Sequence, residues 1–178
     1  NRPVNSKQPL WVMLLLSVFA WAPATHPGYW RALEGFLPAF NLTTLQRIAA
    51  IGVAPDLWRG DGIGAFLLPH LLFRAGLAPV VALRVTFILA IMLGGVGIYL
   101  WLEHHFGSRG AALSGLTYML LPTVLTTVYI RGRLADVIVL ALLPWLFFTL
   151  TALAHSPTQK GRSLHFLFAV LLLGWLWL

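Results

Sequence analysis

The feature that most restricts this chain is a set of long stretches carrying no charge, or one near an end. Residues 79–102 (PVVALRVTFILAIMLGGVGIYLWL) contain only Arg84, residues 110–130 (GAALSGLTYMLLPTVLTTVYI) contain none, and residues 134–154 (LADVIVLALLPWLFFTLTALA) contain only Asp136. A hydrocarbon core about 30 Å thick is crossed by about 20 helical residues rising about 1.5 Å each, so each stretch is long enough to span. Lipid offers no partners to backbone amides, which restricts the spans to helices that satisfy themselves. Composition agrees, since 59% of the 178 residues are hydrophobic and 10% charged, against about a quarter charged in a soluble domain.

Two further runs extend the pattern. Residues 10–24 are shorter but carry Trp11 and Trp21 near their ends, where amphipathic rings favour the headgroup level. An uncleaved first helix is expected rather than a signal peptide, although Ala22-Pro23-Ala24 at its end has A-x-A spacing. The run 163–178 is still apolar at its last residue, and the first residue is Asn1 rather than Met; the chain reads as a fragment of something longer. The expected fold is all-α, one polytopic transmembrane bundle over residues 1–178 with about five spans (10–24, 79–102, 110–130, 134–154, 163–178) and an outer segment, 25–78.

That outer segment has patterns of its own. Asn41 is expected to cap a short interfacial helix ending at Gly52, with Leu42, Leu45, Ile48 and Ala49 on one face and Thr43, Thr44, Gln46 and Arg47 on the other. Asn41-Leu42-Thr43 also matches a glycosylation acceptor. Residues 63–75 are apolar but only about 13 long and interrupted by Pro69, which suits an interfacial or re-entrant piece better than a crossing.

Short connections at 104–109, 131–133 and 155–162 are each expected to reverse direction. With Arg2 and Lys7 cytoplasmic, the loops holding Arg109 and holding Lys160 and Arg162 are cytoplasmic too, as the positive-inside rule prefers. Seven arginines then lie outside, most of them in the long segment, where the rule has less force. Ala90 with Gly94, Gly110 with Ser114 and Ala111 with Gly115 repeat at four-residue spacing and are candidate helix contacts.

The net charge of +7 comes from basic residues scattered singly between apolar runs, a pattern that points to anionic lipid rather than nucleic acid. The absence of cysteine excludes disulfides, thiolate metal sites and covalent haem. His26, His104, His105 and His165 fall at separated ends of the runs, and His70, alone inside an apolar segment, cannot supply two axial haem ligands. It is expected to be a satisfied interfacial histidine, and no metal or cofactor is expected.

The order of features resembles a known group. A first span is followed by PDLWRGDG, LPHLLFRAGLAP, VGIYLWLEHHFGSRGAALSGLTYMLLPTVL and VYIRGRLADVIVLALLPW. Together these resemble the N-terminal half of bacterial multi-span proteins of the GT-C glycosyltransferase type, in particular those with a Tyr-x-Arg-Gly-x-x-Ala-acid motif. The resemblance covers about three quarters of the chain. It implies a GT-C-like helical bundle and transfer of a sugar from a polyprenyl-phosphate carrier at the outer face, with an acid in the first outer loop. Tyr129, Arg131, Gly132, Ala135 and Asp136 stand at the positions of the second outer-loop motif, and Asp56 and Asp61 in the expected part of the first. Where such proteins carry an acid and a histidine soon after the first span, this chain reads RALEGFLPAFNLTT, with Glu34 the only acid and Asn41 near the histidine's place.

The candidate residues keep two readings each. Asp136 beside Arg131 and Arg133 suits a phosphate and metal site, or a charge pair closing the ends of two helices. Asp56 and Asp61 suit acid–base chemistry, or turn formation around Trp58 and Arg59. Arg84 suits a functional intramembrane charge, or a side chain snorkelling to the interface. The expected function is a non-catalytic accessory subunit of a larger complex in the bacterial inner membrane, with an electron-transfer complex one candidate host. Its partners would be membrane lipid, held by Arg131, Arg133 and Arg84, and other integral subunits. The alternative is a polyprenyl-phosphate-sugar-dependent transferase using Glu34, Asp56 or Asp136.

Overall fold

Proline, glycine and the demand that backbone amides pair within lipid set where each helix begins and ends. The computed structural model describes residues 7–26, 36–50, 63–155 and 159–177, and among them every regular element is helical. Helix α1 (Gln8–Leu16) starts with a proline in its first turn, where the missing N–H is no loss. It continues as α2 (Val18–Trp21) and a 3-10 turn over Ala22–Thr25. The break between them falls at Ser17, whose hydroxyl donates to the Leu14 carbonyl at 2.6 Å and accepts from the Trp21 indole at 3.1 Å.

Helix α3 (Phe36–Ala50) begins five residues before Asn41, so Asn41 lies inside the helix and is not its cap. Pro38 in the first turn is compatible with that earlier start. Helix α4 (Ile63–Arg74) contains Pro69 and turns through Gly76, at φ 100°, into α5 (Pro79–Met119).

Helix α5 is a hairpin. Gly107, at φ 67° and ψ 171°, divides it into arms 79–106 and 108–119, a backbone conformation open to glycine and costly to any side chain. The expected connection at 104–109 is therefore no loop: helix continues on both sides of one residue. The second arm passes through Leu120 and Leu121 into α6 (Pro122–Thr126) and a π-turn over Thr127–Arg131. Then come α7 (Leu134–His155) and α8 (Gln159–Trp177).

Among the described residues, three helical stretches are long and apolar enough to cross a membrane: Gln8–Thr25, Pro79–Arg131 and Leu134–His155. The runs expected as separate spans at 79–102 and 110–130 form the two limbs of the second stretch, which is 53 residues long. The last expected span falls in the shorter apolar helix Gly161–Trp175.

Apolar burial does not drive helices together in lipid, so close backbone approach and interhelical hydrogen bonds must. The glycines of the first arm supply the approach. A Cβ on Gly115 would stand 2.7 Å from the carbonyl oxygen of Gly95, which places the two arms backbone to backbone. Gly94 meets the Tyr118 ring and Gly97 meets Pro144 and Trp145 of α7. Of the expected small-residue contacts, Gly94 and Gly115 take part, whereas Gly110 meets only Phe106 and accepts from Ser114 within its own arm. Met13, Phe87, Met119, Val128 and Leu134 fill the shared core, all at most 1% exposed.

Aromatic donors provide the second force. Pro144 has no N–H, which strips the Leu140 carbonyl of its helical partner, and the Tyr118 hydroxyl donates to that oxygen at 2.6 Å. The Trp145 indole donates to the Leu93 carbonyl at 2.9 Å, and the Trp101 indole donates to the Thr151 hydroxyl at 3.1 Å while stacking on Phe147.

Candidate functional site

The charged candidates gather at one end of the bundle because of how the hairpin folds. The Tyr129 hydroxyl donates to the Ala20 carbonyl at 2.8 Å, tying the far end of the first stretch to the π-turn. The second arm rises from Gly107 towards that same end, and the first arm descends from it.

The motif residues have identifiable local duties. The Gly132 amide donates to the Thr127 carbonyl at 3.0 Å, closing a five-residue π-turn, and Gly132 itself sits at φ 68°, ψ 19°, the left-handed position that favours glycine at a helix end. Tyr129 reaches inward to the first stretch, whereas Arg131 is exposed. Asp136 lies in the first turn of α7, where a negative charge suits the helix dipole, and pairs with Arg133 at 3.6 Å with both side chains part exposed. The pair joins residues three apart at the start of one helix, α7, and does not itself bridge two helices.

Arg84 joins this end by register. It shares one side of the first arm with Ile91 and Gly95, seven and eleven residues on and within about 20° around the helix. Gly95 abuts the second arm, and Ile91 lines a small void with Val124 and Val128. Two turns outward from Ile91 on one limb is Arg84, and two turns outward from Val124 on the other is Arg131. By register, Arg84 and Arg131 start from one level of the hairpin, and Arg133 follows two residues after Arg131 with its ion-pair partner Asp136. Arg84 is half-buried, and its Nε is buried with no hydrogen-bond partner, so the side chain is not simply extended into water.

His70 differs from expectation, since its Nδ1 is buried without a hydrogen-bond partner. Glu34, Asp56 and Asp61 lie outside the described residues. Among those described, no three His, Cys, Asp or Glu side chains come together as a metal site would need. The Tyr99 hydroxyl donates to Glu103 at 2.7 Å near the other end of the first arm, a pair that sequence signals only through its four-residue spacing.

A second feature lies against the other side of the first arm: an apolar cavity of about 610 Å³ between α4, α5, α7 and α8. Residues 66–178 match the family model described as a 6-pyruvoyl-tetrahydropterin synthase related domain, membrane protein. No curated protein and no solved structure matches the chain.

Proposed function

The chain belongs to the 6-pyruvoyl-tetrahydropterin synthase related family of membrane proteins, and from that premise we propose that it is a non-catalytic accessory subunit of a larger bacterial membrane assembly. In this reading the N-terminus is cytoplasmic, both hairpin arms cross the bilayer and α8 crosses last, giving five passages. Arg84, Arg131 and Arg133 then lie at the outer face and hold anionic headgroups. An electron-transfer complex is one candidate host.

The observation that carries the reading is the employment of the motif residues. Tyr129 holds the first stretch, Gly132 closes the π-turn, and Asp136 is matched with Arg133. These are architectural tasks. The α8 face bearing Leu164, Leu167 and Leu171 is more than half exposed and supports packing against a neighbouring subunit. Purification in mild detergent is expected to yield the chain with other integral subunits in fixed stoichiometry; recovery only as a free monomer refutes the proposal.

A transferase of GT-C type is the second reading, supported by Arg84 and Arg131 at one level of the hairpin and the Arg133–Asp136 pair next along the chain, a charge arrangement suited to a carrier phosphate. Radiolabelled sugar transfer by membranes that is lost in Asp136→Ala or Glu34→Ala decides for it, and unchanged transfer removes those residues from any such role.

A further inference from the structure

We propose that the apolar cavity between α4, α5, α7 and α8 holds one acyl chain of a membrane glycerophospholipid as a resident structural lipid. The walls limit the chemistry of the occupant. Ala65, Thr86, Leu93, Ala141, Trp145 and Trp175 are among the residues that line it, and few polar atoms there are open to a ligand. The Thr86 hydroxyl donates to the Ala82 carbonyl at 2.8 Å and the Trp145 indole to the Leu93 carbonyl at 2.9 Å. That leaves the Trp175 indole N–H, buried without a hydrogen-bond partner, as the one donor still open among the lining side chains. With the Ala65 carbonyl, which Pro69 deprives of its helical amide, these are too few polar groups to hold a sugar. A hydrocarbon chain with an ester carbonyl at its head asks for no more than these walls offer.

Size selects among hydrocarbons. The cavity, about 610 Å³, falls in the roughly 300–1,000 Å³ range of ligand pockets. Along α5 the lining runs from Thr86 to Val96, a rise of about 15 Å, which is half of a hydrocarbon core about 30 Å thick. That is the length of one leaflet's acyl chain. Access comes from the bilayer, because lining residues Leu89 and Leu93 are themselves exposed, at 44% and 41%. This inference is independent of the accessory reading, since it uses the opposite side of the first arm from Arg84.

The test is native mass spectrometry of the full chain, delipidated in mild detergent and titrated with palmitoyl-oleoyl phosphatidylcholine. About one lipid per chain is expected to survive gas-phase activation. Ala65→Leu on α4 and Val96→Phe on α5, each filling the cavity from a different helix, are expected to abolish that retention while the thermal unfolding midpoint and helical circular dichroism are kept. If one variant fails to fold, the other decides. The proposal is overturned if the wild type retains no phosphatidylcholine, if a folded filling variant retains as much as the wild type, or if farnesyl phosphate displaces the phospholipid completely at equal concentration.

Discussion

Replacing Tyr118 by phenylalanine isolates one hydrogen bond whose acceptor has nowhere else to turn. The Leu140 carbonyl lacks an amide donor because residue 144 is proline, and the Tyr118 hydroxyl reaches it at 2.6 Å. Interhelical hydrogen bonds in membrane proteins average about 0.6 kcal/mol and reach about 1.7. Here neither water nor the helix replaces the lost donor, so the upper part of that range applies, about 1.5 kcal/mol or roughly tenfold in the unfolding constant. Pro144→Ala supplies the control. It restores an amide at 144 for the Leu140 oxygen, although it also disturbs the contact with Gly97, so only a double-mutant cycle separates the two effects. In the Pro144→Ala background, Tyr118→Phe is expected to cost no more than about 0.5 kcal/mol. Reversible unfolding in mixed micelles, followed by circular dichroism, gives all four corners. Equal losses in both backgrounds, or no loss on Tyr118→Phe alone, refute the reasoning that the tyrosine substitutes for the missing proline N–H.

Gly115→Ala is expected to cost about 2–3 kcal/mol, the upper part of the overpacking range, because its Cβ would stand 2.7 Å from a backbone oxygen that cannot swing aside. Gly174→Ala, with nothing within 4 Å, is expected to be neutral or to gain up to about 1 kcal/mol, and the same micelle assay compares them. Asp136→Asn removes a part-exposed pair at 3.6 Å and is expected to cost under about 1 kcal/mol. A larger loss in the unfolding assay means that Asp136 has partners beyond Arg133.

Much of this architecture is legible from residue order. Uninterrupted apolar runs announce the helices, and α7 matches residues 134–154 to within one residue, since Gly132 and the charges at 131, 133 and 136 punctuate its start. Other features are hidden for physical reasons. Period and length do not distinguish a loop from a one-residue break, so the hairpin at Gly107 reads in sequence as a connection over 104–109. Asn41 offers a capping side chain, but helix is set by the backbone upstream, and an earlier start at Phe36 leaves that asparagine mid-helix. The inward tasks of Tyr118 and Trp145 depend on which helices are neighbours. The one clue in the sequence is Pro144, which guarantees an unpartnered carbonyl four residues earlier and hence a donor from elsewhere. The arginines are legible as a residue set, but the common height of Arg84 and Arg131 needs the register of the two arms.

The proposed acyl-chain site and the proposed headgroup arginine, Arg84, lie on opposite sides of the first arm. Thr86, Ala90 and Leu93 face the cavity, whereas Arg84, Ile91 and Gly95 lie on the side turned to the second arm, so in the proposed reading the first arm separates hydrocarbon from headgroup chemistry. Arg84 and Ala65 stand on different helices and on opposite sides of the first arm, and changes at the two are expected to act additively, within about 0.5 kcal/mol. Arg84→Met is expected to weaken preference for phosphatidylglycerol over phosphatidylcholine and leave retention of the resident chain intact; Ala65→Leu is expected to do the reverse. The double variant should show both losses at their single-variant size in a lipid titration read by native mass spectrometry. If Arg84→Met instead releases the resident lipid, headgroup and chain belong to one continuous site, and the first arm is not the partition that its two faces describe.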